Sequence, residues 1–217
     1  MTENHASIYS DAQRYDLVVG AYASGEVLNF YRRQVSRCGE PVLELACGSG
    51  RLTIPLANEG IHITGMDISE QMLDLAWLKA AERGANIRFI QGDIRRFDLG
   101  EKFKFIFIPA QSLSHLHTRK EIENCFTCVQ RHLTDEGRLL IELFNSSVKL
   151  LARETDHRYP VGQYRDPKSG SQVFVTEEVR YDAASQINHI RWFFSGGRGH
   201  PGDDPFIRDE AVFSAGN

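Results

Sequence analysis

The chain has 217 residues, of which 41% are hydrophobic and 25% charged, enough for one sizeable core and outside the range of disordered or fibrous chains. The formal net charge of -4 lacks the basic excess that phosphate binding leaves, which argues against a nucleic-acid partner. The opening MTENHASIYSDAQRYD has no apolar core and no run approaches the roughly 20 apolar residues of a membrane span, so a cytoplasmic protein with no membrane partner is expected.

Residues 10–37, rich in aromatics and charges, read as helical. Val42–Ala46 then reads as a buried strand and Gly50–Asn58 as a helix stopped by Gly60. Ile61–Met66 is a second strand, and Ser69 is placed to cap a helix running to about Arg83 along a Met72, Leu73, Ala76, Ala80 stripe. Ile87–Gln91 is a third strand and Phe103–Ile108 a fourth, closed by Pro109. Thr118 with Glu121 forms a capping box for a helix to about His132.

That helix carries Cys125 and Cys128, a CxxC with no second pair to complete a zinc site. Packing is the expected role, and no metal is expected. A turn at Thr134–Gly137 leads to a fifth strand, Arg138–Phe144. Strands alternating with helices predict a doubly wound, mostly parallel α/β sheet. Beyond it, Gln172–Tyr181 and Ile187–Phe194 flank a polar turn, the pattern of an antiparallel hairpin, and residues 196–217 read as weakly ordered. The expected organisation is an N-terminal helical lid (1–37), a ligand-binding core (38–150), a β insert covering substrate (151–195) and a tail (196–217).

Small residues cluster in Glu44-Leu45-Ala46-Cys47-Gly48-Ser49-Gly50, between the first strand and the first helix. This turn falls at the carboxyl edge of the sheet, where a nucleotide-like ligand can approach backbone. A phosphate loop of the Gly-Lys-Ser/Thr type fails, because Arg51-Leu52 follow Gly50. A dinucleotide fingerprint is weakened by Thr53 at its third glycine position.

The seven residues resemble the first motif of the class I S-adenosylmethionine-dependent methyltransferases, E/D-x-G-x-G-x-G, with Ala46 in place of the first glycine. Asp67 in GMDIS and Asp93 in IQGDI fall at the ends of the next two strands, as in that family. The resemblance covers roughly residues 38–145 and implies a Rossmann-like fold. It implies S-adenosyl-L-methionine as cofactor and S-adenosyl-L-homocysteine as product. Asp67 would accept both ribose hydroxyls and Asp93 would meet the adenine amino group. Ile94 would lie beside the adenine ring, with Met66, Ile68 and Met72 against its other face. Glu44 would orient the loop and approach the methionine amino group, while Arg51 would reach the carboxylate or stay a surface cation. Pro109 would border the cofactor, and Tyr15 would touch it from the N-terminal helix.

The loop after the fourth strand, IPAQSLSHLHT, has neither an Asn/Asp-Pro-Pro-Tyr/Phe nor a Pro-Cys sequence, which argues against a nucleobase acceptor. The resemblance points to a small-molecule acceptor, methylated on oxygen or nitrogen. Gln111, Ser112 and Tyr22 are the candidate substrate contacts and His115 the candidate general base, since imidazole exchanges protons near neutrality. A complete domain of this family has seven strands, so the resemblance also implies a C-terminal truncation or alteration. A chain that binds cofactor but has lost transfer is one alternative, and an RNA or protein methyltransferase another. The bare fifth strand would need a cover, from the hairpin or from the second subunit of a homodimer.

Overall fold

The computed structural model describes residues 8–20, 24–143, 153–154, 157–167 and 169–196, with the backbone of 210–216. The chain divides into two units, Gly20–Phe144 and Met1–Val19 with Asn145–Asn217.

The first unit is built on five parallel strands, β1 (Val42–Leu45), β2 (Ile63–Asp67), β3 (Arg88–Gln91), β4 (Phe103–Ile108) and β5 (Leu133–Ile141), in the order β3-β2-β1-β4-β5. β1 and β2 are buried at every position, which is why they read as apolar runs without alternation. Phe105 and Phe107 of β4 pack with Tyr31 and Val35 of α2 (Gly25–Cys38) and with Leu56 of α3 (Thr53–Asn58). Ile106 and Ile108, on the other face, pack with Cys125, Cys128 and Val129 of α5 (Arg119–His132). α4 (Glu70–Glu82) sends Leu73, Ala76 and Ala80 against Ile54 of α3 and Phe89 of β3. Helices thus cover both faces of a parallel sheet, the doubly wound arrangement expected.

Three expectations are corrected. The N-terminal helices do not form one unit: Tyr31 and Val35 of α2 are core residues of the sheet unit, whereas α1 (Ala12–Val19) belongs to the other unit. β5 starts at Leu133, and the expected turn interrupts it: Phe103 pairs with Leu133 but Phe105 with Arg138. The Thr134–Gly137 segment folds so tightly that a Cβ on Gly137 would come within 3.0 Å of the Thr134 nitrogen.

The third concerns the C-terminus. The second unit is a four-stranded antiparallel sheet in the order β6-β7-β8-β9, comprising Tyr159–Arg165, Gln172–Asp182, Ile187–Gly196 and Glu210–Gly216. The hairpin is present as β7–β8, with the Asp182 carboxylate accepting N–H groups from Ala184 and Ser185 in its turn. Part of the expected tail is a strand, because β8 otherwise presents an unpaired edge. Val173, Val175, Trp192 and Phe194 form this unit's core with Ile8 and Tyr15. Among the described residues no strand pairs with the outer edge of β5. The expected substrate contact Tyr22 lies outside the described residues.

Candidate functional site

The strand order reverses between β1 and β4, the switch point at whose carboxyl edge open α/β sheets bind their ligands. Register brings the strand ends level: Leu45 pairs with Met66 and Asp67 with Gln91. The loop after β1 is left-handed at Ala46 (φ 57°), Gly48 (φ 54°) and Gly50 (φ 74°). Only Gly50 is sterically compelled: a Cβ there would stand 2.8 Å from the Ile54 Cδ1 atom. At Gly48 a Cβ would meet nothing within 4 Å, so the backbone faces open space.

Asp67 organises this loop. Its Oδ2 accepts the Gly48 N–H at 2.7 Å and its Oδ1 the Ser69 N–H at 2.9 Å. The residue is 8% exposed. Burial pushes its carboxyl up; the hydrogen bonds from Ser69, Gly48 and Ile68 and the nearby His115 ring pull it back. Its two oxygens carry four acceptor directions between them, and these three backbone bonds leave one for a ligand hydroxyl.

Glu44 is 2% exposed and accepts the Thr53 hydroxyl. Burial pushes its carboxyl up to about 8, against the Thr53 hydrogen bond and the Arg51 charge. At neutral pH it is therefore mostly uncharged. The side chain reaches inward, fastening the end of β1 to the first turn of α3.

The apolar positions divide. Ile68 is 61% exposed beside Asp67, and Ile94 is half-buried. Met72 is 1% and Met66 0% exposed. Both methionines thus pack in the core, whereas Ile68 and Ile94 offer an apolar surface. Asp93 is gripped by Arg95, whose Nε donates at 2.9 Å and Nη2 at 2.8 Å, and Arg95 also pairs with Glu121 of α5. The guanidinium holds the Asp93 carboxyl below the usual range. Its first task here is to lock the loop after β3 to α5.

After β4, Pro109 is buried, and Ala110 (φ 51°) and Gln111 (φ 61°) are both left-handed. Ser112–His115 follow as a 3-10 turn, with Gln111 and His115 exposed and Ser112 half-buried. His115 lies near enough to Asp67 to act on its charge, so this loop and the glycine loop share one edge. Arg51 is half-buried, close enough to Glu44 to act on its charge.

Tyr15 lies in the other unit, stacked on Trp192 at 6.4 Å. The Cys125–Cys128 pair is buried and reduced, with burial raising the Cys125 thiol to about 12, as packing requires. Among the described residues no group of three His, Cys, Asp or Glu could hold a metal ion, and no helix is long and apolar enough to cross a membrane.

Residues 42–137 match the family model described as a methyltransferase domain. The chain is 37% identical over 106 residues to Bacillus subtilis YqeM, whose name assigns methyltransferase activity only provisionally; the match covers 48% of this chain and 42% of that protein. It is 28% identical over 139 residues to a dTDP-4-amino-2,3,4,6-tetradeoxy-D-glucose N,N-dimethyltransferase of Saccharopolyspora spinosa, covering 64% of this chain and 54% of that one. The chain thus spans about half the length of these curated relatives. Among solved structures, an S-adenosylmethionine-dependent methyltransferase from Clostridium acetobutylicum superposes with a TM-score of 0.70 at 21% identity, covering 95% of this chain and 79% of that one. CalS10, an amino pentose methyltransferase from Micromonospora echinaspora solved with S-adenosylmethionine bound, gives 0.65 at 19% identity, covering 99% and 82%.

Proposed function

We propose, for a chain whose residues 42–137 carry a methyltransferase domain of the class I fold, that it binds S-adenosyl-L-methionine at the carboxyl edge of β1–β3. There it would methylate an amine or hydroxyl of a small molecule. One observation carries this reading: a buried Asp67 at the end of β2 holds the Gly48 backbone over open space, beside the exposed Ile68.

The residues present fit the cofactor. The open space over Gly48 leaves room for the methionine portion, the remaining acceptor direction of Asp67 suits a ribose hydroxyl, and Ile68 and Ile94 offer an apolar border to an adenine ring. Bound S-adenosylmethionine supplies an electrophilic methyl group, so the protein's task reduces to binding, orientation and, for some acceptors, proton removal. Asp67 and the glycine loop do the binding. Gln111 and Ser112 would orient the acceptor, and His115 would take its proton. Relatives and solved neighbours that act on amino sugars support an amino-sugar-like acceptor.

Calorimetry with S-adenosylhomocysteine is the direct test, with micromolar affinity as the expected outcome. An acceptor panel containing a dTDP-linked amino sugar and a phenol should then yield S-adenosylhomocysteine from S-adenosylmethionine with at least one of them. A folded chain that binds neither cofactor form would overturn the reading.

A further inference from the structure

The cofactor reading leaves one carboxylate at this edge without a role. Glu142 follows β5 directly, and its own N–H bonds to the Ile108 carbonyl at 3.0 Å, extending the β4–β5 ladder. Its Oε2 accepts the Ala110 N–H at 3.3 Å and the Tyr31 hydroxyl at 3.1 Å. Tyr31 comes from α2, is 1% exposed, and sets its ring 4.7 Å from that of Phe107 in β4. A single side chain therefore ties together α2, the end of β5 and the loop after β4.

That loop needs a tie. Ala110 and Gln111 are consecutive non-glycine residues in the left-handed region, a conformation that persists only where surrounding contacts impose it. The Glu142 carboxylate meets the N–H of the first of these two strained residues. The turn it holds presents Gln111 and His115, both exposed.

We propose that Glu142 is a positioning residue: it holds the Ala110–Gln111 turn in its left-handed form and so aims Gln111, Ser112 and His115 at the methyl acceptor. The consequence for catalysis rests on the methyltransferase reading; the conformational claim does not. Apart from Pro109, the groups assigned to the cofactor within the sheet unit lie at the ends of β1, β2 and β3 or in the loops that follow them, so Glu142 acts chiefly on the acceptor side.

The test uses the full chain with Glu142→Ala, Glu142→Asp and Glu142→Gln. Glutamine keeps an acceptor oxygen at the same reach, whereas aspartate keeps the charge one methylene short. Amide exchange at Ala110, followed by NMR, should quicken about tenfold or more in the alanine and aspartate variants, the worth of one hydrogen bond to a charged group. It should quicken less in the glutamine variant, which keeps the acceptor oxygen without the charge. Unchanged exchange in the aspartate variant, which has the best prospect of folding normally, overturns the proposal.

The second readout pairs S-adenosylhomocysteine affinity with kcat/KM on a dTDP-linked amino sugar. Affinity within twofold of wild type, with kcat/KM down at least tenfold in the alanine and aspartate variants and partly rescued by glutamine, supports the positioning role. An equal loss of both overturns it, since that pattern belongs to general loosening of the fold. A wild-type chain that binds no S-adenosylhomocysteine would sink the methyltransferase reading, while Ala110 exchange would still decide the role of Glu142.

Discussion

Both oxygens of Asp67 already hold backbone N–H groups of Gly48 and Ser69, so the residue shapes the loop before any ligand arrives. Replacing it with alanine orphans two donors, at about 1–3 kcal/mol for each that is buried. Asp67→Asn keeps one acceptor oxygen. We expect both variants to weaken S-adenosylhomocysteine binding, with alanine also lowering the thermal midpoint well below that of asparagine. Equal midpoints in differential scanning calorimetry would contradict the structural half of this claim.

Glu44 makes a pH prediction. Its native carboxyl is raised to about 8 from an unfolded value near 4.3, so the native state binds the extra proton between those values. The stability it contributes is complete below about 4.3 and is lost as pH rises through about 8, with a slope of at most about 1.4 kcal/mol per pH unit. In urea titrations across that window, Glu44→Gln should flatten the decline, because an amide cannot titrate. Ala46 adds a smaller effect: it is left-handed at φ 57° without being glycine. Ala46→Gly should leave stability unchanged or raise it, whereas Ala46→Val should cost about 1 kcal/mol or more in the same titrations.

At the scale of elements, α5 shows local chemistry and long-range contacts working together. Its capping box is complete: the Thr118 hydroxyl accepts the Glu121 N–H, and the Glu121 carboxylate accepts the Thr118 N–H. Thr118→Ala should cost about 1 kcal/mol by thermal denaturation. The far end of the helix is fixed by His132, buried at 2% exposure, which accepts the Leu99 N–H at Nε2 and bonds the Cys128 carbonyl through Nδ1. The cap could be read from the spacing of two residues. The histidine could not, because its partner Leu99 lies 33 residues away.

The same division explains β5. The turn at Thr134–Gly137 was legible in its composition, yet the pairing of Leu133 with Phe103 depends on a neighbour 30 positions earlier. A helix pattern likewise announces that α2 buries a face without saying against what. Tyr31 and Val35 meet Phe105 and Phe107 of a strand far along the chain, so the helix expected as a lid is part of the core.

For the whole molecule, the two units each hold one of the two tryptophans: Trp77 on α4 beside Phe89, and Trp192 in β8. Single-tryptophan variants, Trp77→Phe and Trp192→Phe, can therefore report each unit separately. Ligand at 100 times its dissociation constant stabilises the state that binds it by about 2.7 kcal/mol. The groups assigned to S-adenosylhomocysteine lie chiefly in the sheet unit, so the Trp77 signal should unfold at higher urea when it is present. An unmoved Trp77 midpoint at saturating ligand would refute that assignment.

The sequence by itself determined the strand–helix alternation, the place of the small-residue loop after β1 and the acids at the ends of the next two strands. These are local properties, written in hydrophobic period, turn chemistry and spacing. Only the tertiary structure decided what each acid does. Glu44 turns inward because β1 is buried at every position, Asp93 is claimed by Arg95, which also holds Glu121, and Asp67 combines loop contacts with spare acceptor capacity. The Glu142 tie between Tyr31 and Ala110, spanning 111 and 32 residues, had no local signature at all. A carboxylate's charge and reach are fixed by its residue type; its partners are chosen by the packing of distant segments.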